Sequence, residues 1–174
     1  GLTKAGEGTL TLSGSNTYTG ATDIQAGTLK LSGAGAISQT LSMHDTGVLD
    51  IADVAGPSVA LSSLNGGGSI VLGNKTLNLL DNSGSFGNTY SGAITGSGGL
   101  TLSGGATLLT GQNTYTGGTD VQAGLLEVDG NVAGPVRVRT RSVLAHECSG
   151  GPPTFSFRSL PPPRNPPPPG QPRT

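Results

Sequence analysis

Tryptophan is absent from this chain, cysteine and methionine occur once each, and aromatic residues make up only 3% of it. A compact core normally draws much of its buried area from large aromatic side chains. This chain must instead bury many Leu, Ile and Val side chains in a thin, regular core. One cysteine excludes an intrachain disulfide framework. No apolar run approaches the roughly 20 residues of a membrane-spanning helix, and no signal peptide is visible. Before position 137 there is no arginine, and the only lysines are Lys4, Lys30 and Lys75. Nucleic acids and anionic membranes are bound by clustered Lys and Arg, so neither is expected as a partner.

What the sequence does hold is glycine, 31 residues of 174, and a sharp compositional break. Residues 1–136 carry three Lys against nine acids, a net charge of −6, whereas residues 137–174 carry six Arg against one acid, a net charge of +5. Ten of the twelve prolines also lie in the second part. We therefore expect two regions: a folded repeat region, 1–136, and a disordered Pro/Arg-rich tail, 137–174. The tail reads either as an extended Pro-rich linker or as out-of-frame translation. The abruptness of the change favours the second. Its runs Pro161–Pro163 and Pro166–Pro169 resemble ligands of Pro-binding domains, although a solvated tail without a partner is the simpler reading. The chain opens without Met and already inside a repeat, so it reads as part of a longer protein.

The repeat is plain. Residues 14–33 read GSNTYTGATDIQAGTLKLSG and residues 111–130 read GQNTYTGGTDVQAGLLEVDG, an offset of 97. Asn16, Tyr18, Gly20 and Gly27 thus recur as Asn113, Tyr115, Gly117 and Gly124. A shorter copy, NTYSG, brings Asn88, Tyr90 and Gly92. The Asn spacings of 72 and 25 suggest a unit of about 24 residues, within the range of solenoid repeats. Inside each unit, Leu and Ile alternate with polar residues, as in Thr9-Leu10-Thr11-Leu12 and Thr76-Leu77-Asn78-Leu79. Period-2 alternation marks half-buried strands. Gly, Asn, Ser and Asp between them supply turn chemistry. The expected fold is all-β, a right-handed parallel β-helix of about five or six rungs. An antiparallel sandwich also has alternating strands but gives no reason for the NTY[ST]G block.

These blocks resemble the passenger-associated repeats of Gram-negative autotransporters, over LTKAGEGTLTLSGSNTYTGATDIQAGTLKLSG (2–33) and GNTYSGAITGSGGLTLSGGATLLTGQNTYTGGTDVQAGLLEVDG (87–130). The resemblance implies a β-helical passenger on the cell surface, tethered to the outer membrane. It would be carried there by type V secretion through a C-terminal β-barrel translocator of the same polypeptide. It implies a non-catalytic stalk and display scaffold that supports adhesion or autoaggregation, with host surface proteins or glycans as further partners. Two other settings are open: the stalk of a larger autotransporter protease, and a free secreted glycan-binding β-solenoid.

No catalytic residue, cofactor site or metal site is expected. His44, Asp45, Asp50 and Asp53 are spread over ten residues without a ligand geometry and read as a polar loop. Asn65-Gly66-Gly67-Gly68-Ser69-Ile70 has the glycines of a calcium β-roll but lacks the acid. No GxSxG elbow is present. His146 and Cys148 fall in the tail, and Asn74-Lys75-Thr76 fits a glycosylation sequon without weight. The equivalent tyrosines, Tyr18, Tyr90 and Tyr115, suit packing over glycine corners, the alternative being an exposed binding ladder. Asn16, Asn88 and Asn113 suit a stacked hydrogen-bond ladder.

Overall fold

Each alternating Leu/Thr run forms one short strand, and each Gly/Ser/Asn cluster turns the chain into the next. The computed structural model describes residues 1–37, 40–80, 86–139 and 142–146, with residues 86–87 and 142–146 given by their backbone alone. Among these residues there are strands and turns and no helix.

The strands wind around three sides. The first side is an eight-stranded parallel sheet of β1 (Leu2–Lys4), β3 (Thr22–Ile24), β5 (Thr40–Met43), β8 (Ser63–Gly66), β11 (Phe86–Tyr90), β14 (Ala106–Leu109), β17 (Gly124–Val128) and β20 (Ser142–His146). The second holds β2 (Thr9–Leu12), β4 (Gly27–Gly33), β6 (Gly47–Val54), β9 (Ser69–Val71) and β12 (Ala93–Thr95). A two-stranded ladder, β15 (Gln112–Asn113) with β18 (Asn131–Val132), continues this side. The third holds β7 (Ser58–Leu61), β10 (Thr76–Leu79), β13 (Leu100–Leu102), β16 (Thr119–Val121) and β19 (Val136–Val138). In the first two turns the chain crosses the third side without a strand.

Every pairing is parallel and joins one turn to the next, so the molecule is a parallel β-solenoid of about seven turns. The five or six turns expected for residues 1–136 come close, since the seventh step, from β17 to β20, ends beyond that range. Paired residues on the first side are in fact 20 apart (Leu2 to Thr22), 19 (Thr22 to Leu41), 23 (Thr40 to Ser63), 24 (Gly66 to Tyr90), 19 (Asn88 to Thr107), 19 (Ala106 to Leu125) and 18 (Gly124 to Ser142). Most of these steps fall short of the expected period.

Inward side chains stack in register. On the second side Leu29, Leu49, Ile70 and Ile94 form one column, each 0% exposed. On the third, Leu61, Leu79, Leu102 and Val121 do the same. Each such side chain contributes roughly 1.5–3 kcal/mol on full burial, which stands in for the missing aromatics. In the first turn the inward position is Lys4, which is buried. Its Nζ donates to the carbonyls of Ala5, Gly6 and Ala26 at 3.2, 2.6 and 2.9 Å.

The ladder runs past position 136. β19 pairs with β16, and β20 pairs with β17 over five residues. The compositional break therefore does not coincide with the last strand. Residues 147–174, the rest of the expected tail with Cys148 and the proline runs, lie outside the described residues.

Candidate functional site

The repeat block faces its side chains the same way in each copy. Alternation turns its Asn and Tyr inward and its Thr outward. Asn16 Nδ2 donates to Gly14 O and Asn113 Nδ2 to Gly111 O, both at 3.0 Å. Asn113 Oδ1 accepts the N–H of Ile94 in the turn before, at 3.1 Å, and Asn88 Oδ1 accepts that of Leu64 at 3.0 Å. These side-chain carbonyls take the place of main-chain acceptors in the ladder between turns. The Asn residues therefore bond to backbone and do not stack on one another, as an Asn ladder would require. Asn16, in the first turn, instead donates forward to Ala36 O at 2.8 Å.

Tyr90 and Tyr115 are 0% exposed and belong to the core, so neither can meet a glycan. Tyr18, in the terminal turn, is half-buried. Tyr115 OH lies 2.5 Å from Thr119 Oγ1, and Tyr18 OH lies 2.8 Å from Thr22 Oγ1, the same four-residue reach. Burial pushes the Tyr115 phenol up to about 12, with the Thr119 bond opposing the shift. In the third copy the residue four places on is Ile94, and Tyr90 OH has no hydrogen-bond partner among the described residues. Burial pushes its phenol above the usual tyrosine range. The ring lies over Gly92, where an added Cβ would come within 2.6 Å of Tyr90 Cζ and OH. Gly27 and Gly124 adopt φ of +66° and +90° and press against the corner one turn back, a conformation open to glycine at low cost. At Gly20 and Gly117 an added Cβ would strike the neighbouring turn.

On the outer surface each full copy carries an Asp–Gln pair at equivalent repeat positions. Gln25 Nε2 donates to Asp23 Oδ2 at 2.9 Å and Gln122 Nε2 to Asp120 Oδ2 at 3.0 Å. A basic side chain from the next turn faces each Asp, His44 Nε2 at 3.7 Å from Asp23 and Arg139 Nη2 at 3.0 Å from Asp120. The Arg139 hydrogen bond holds Asp120 below the usual carboxylate range. Of the other acids near His44, Asp50 and Asp53 lie 3.7 and 2.6 Å from Lys30 Nζ. Among the described residues no three His, Cys, Asp or Glu side chains gather as metal ligands.

A shallow open groove of about 480 Å³ follows the corner before the third side, over Gly98, Gly99, Gly117 and Gly118, with Thr76 and Thr101 beside them. Its chemistry is that of hydroxyls and backbone amides, with Asn74 and the charged pair of side chains Asp120 and Arg137 also on its lining. Of the block's polar groups, the Asn side chains join one turn to the next, and the Tyr18 and Tyr115 hydroxyls bond within their own block.

Comparison with known proteins agrees with this construction. Residues 2–31 and 95–128 match the family model of the passenger-associated transport repeat. The chain is 43% identical over 102 residues to the adhesin BmaC autotransporter of Brucella suis biovar 1 (strain 1330). That match covers 55% of this chain and 3% of the relative, so the chain spans only a small part of its length. No solved structure matches.

Proposed function

Starting from a chain that carries passenger-associated transport repeats of the autotransporter type, we propose that it is a non-catalytic segment of a bacterial surface passenger. It acts as a stalk that holds adhesive segments away from the outer membrane. The observation that supports this most is the solenoid itself. About seven turns are bound by backbone pairing and stacked Leu and Ile columns, with the inward Asn and Tyr of the two full repeat blocks hydrogen-bonded within the protein. Such a chain can cross a membrane unfolded, free of disulfide knots, and then gain stability turn by turn as each new turn covers the last. Its translocator would be a C-terminal β-barrel of the same polypeptide, and its ligands would be host surface proteins or glycans.

The test places residues 1–174 between a signal peptide and an autotransporter β-barrel in a non-adherent bacterium. The expected result is a protease-accessible segment on intact cells, with more binding to host-cell monolayers than the barrel alone confers. Failure to reach the surface would contradict the passenger reading. Surface exposure with no gain in binding would remove the adhesive role and leave the stalk.

A further inference from the structure

The three NTY blocks lie on three different sides. The block at Asn16 follows β2 on the second side and precedes β3 on the first, so it occupies the third. Asn88 is in β11 on the first side, and Asn113 is in β15 on the continuation of the second. In this frame the Asn spacings change meaning. One turn from Asn88 is Thr107, and Asn113 lies one side further on, so the interval between the two Asn makes one and a third turns. The interval from Asn16 to Asn88 is likewise three turns and one side. Each block enters one side ahead of the one before.

The two full copies keep the block's internal bonds on different sides, whereas in the short copy on the first side Asn88 Nδ2 and Tyr90 OH make none of them. Asn to the carbonyl two residues back, Tyr to the Thr four residues on, and Gln to the Asp two residues back are the same on the third side and on the second. Asn88 on the first side and Asn113 on the second both accept an N–H from the turn before. All but the last of these bonds lie within the block, and that one needs only a backbone N–H, which every side offers.

We propose that the NTY block is a side-independent module. It carries its own corner and the following strand, and it docks on whichever side the preceding chain delivers it to. The outward residues Thr17, Thr89 and Thr114 are accordingly displayed on three sides around the axis. A partner that reads the block meets one copy per side and cannot engage all three from one flat surface.

The test moves a block by one side. A second copy of residues 93–98 (AITGSG, one strand and its corner) is inserted between Gly98 and Gly99 of the full chain, in a Cys148→Ser background. The block at Asn113 should then pass from the second side to the third, and Thr101 from beside Asn78 to beside Thr89. Paired substitutions Asn78→Cys with Thr101→Cys and Thr89→Cys with Thr101→Cys report the change through a short bifunctional thiol reagent. Without the insertion the first pair should cross-link and the second should not. With it, the pattern should reverse while circular dichroism retains its β-sheet signal. An unchanged pattern would mean that the inserted residues loop out and the block keeps its side. Loss of the β-sheet signal would mean that the block cannot be rehoused. Either result overturns the proposal.

Discussion

At the residue scale, the two buried tyrosines differ by one hydroxyl partner. Removing the Tyr90 hydroxyl removes a buried polar group without a hydrogen bond, whereas removing that of Tyr115 breaks a bond to Thr119. An unsatisfied buried group costs about 1–3 kcal/mol, and an ordinary hydrogen bond contributes about 1 kcal/mol. Tyr90→Phe should therefore raise the urea midpoint and Tyr115→Phe should lower it. A lower midpoint for Tyr90→Phe would mean that its hydroxyl is partnered after all. Alkali gives a second check. Both phenols are raised above their ordinary value of 10.0, Tyr115 to about 12. A raised folded-state value gives stability that is fully present below pH 10 and lost as pH rises toward and through about 12. Unfolding followed from pH 9 to 12 should show that loss. Tyr90→Phe should make it shallower, and an identical profile in the variant would contradict the assignment.

At the scale of the element, alternation of Leu with Thr specified strands and inward faces directly, because side chains on a strand alternate with period 2. Leu29, Leu49, Leu77 and Leu102 all face the core. Two things were not legible. Lys4 occupies an inward position, where two of its carbonyl acceptors, Ala5 and Gly6, come from the corner that follows it and the third, Ala26, is supplied only when the second turn folds. The Asn side chains replace backbone acceptors, and which N–H they meet depends on register between turns, about which the motif itself says nothing. The i to i+4 spacing from Tyr to Thr in both full copies was the available signal for the hydroxyl pair. Asn113 is fully buried, with its oxygen on Ile94 N and its nitrogen on Gly111 O. Replacing it by Leu leaves both backbone groups unpaired. Asn113→Leu should destabilise by about 2 kcal/mol or more, and a chemical-denaturation midpoint equal to that of the parent would show that the shape of the residue, not its bonds, is what matters.

At the scale of the molecule, the repeat announced a solenoid, but the turn length was misjudged. Asn-to-Asn spacing measured the distance between blocks, and blocks advance by a side as well as by turns. Register between paired strands is what sets the turn, which on the first side is shortest from Gly124 to Ser142 and longest from Gly66 to Tyr90. Deleting a whole turn follows from this. Removal of residues 107–125 brings Leu126 into the place of Thr107. Stability in solenoids is close to a sum of turn and interface terms, and the denaturant slope scales with the surface exposed on unfolding. The shortened chain should keep one cooperative transition with a slope about one seventh smaller. A broad, multiphasic transition would contradict stacking of equivalent turns.

The central claim is parallel, in-register winding. Outward positions Thr3, Asp23, Ser42, Asn65, Thr89, Leu108 and Glu127 form one row on the first side. Neighbouring strands are about 4.8 Å apart, so six steps place Thr3 and Glu127 about 29 Å apart along the axis. Spin labels at these two positions, measured by pulsed dipolar spectroscopy, should give one narrow distribution centred at about 29 Å. Labels at Ser42 and Glu127, four steps apart, should give about 19 Å. Distances that shrink in step with the number of turns support the solenoid. A broad distribution, or distances unrelated to the turn count, would contradict it.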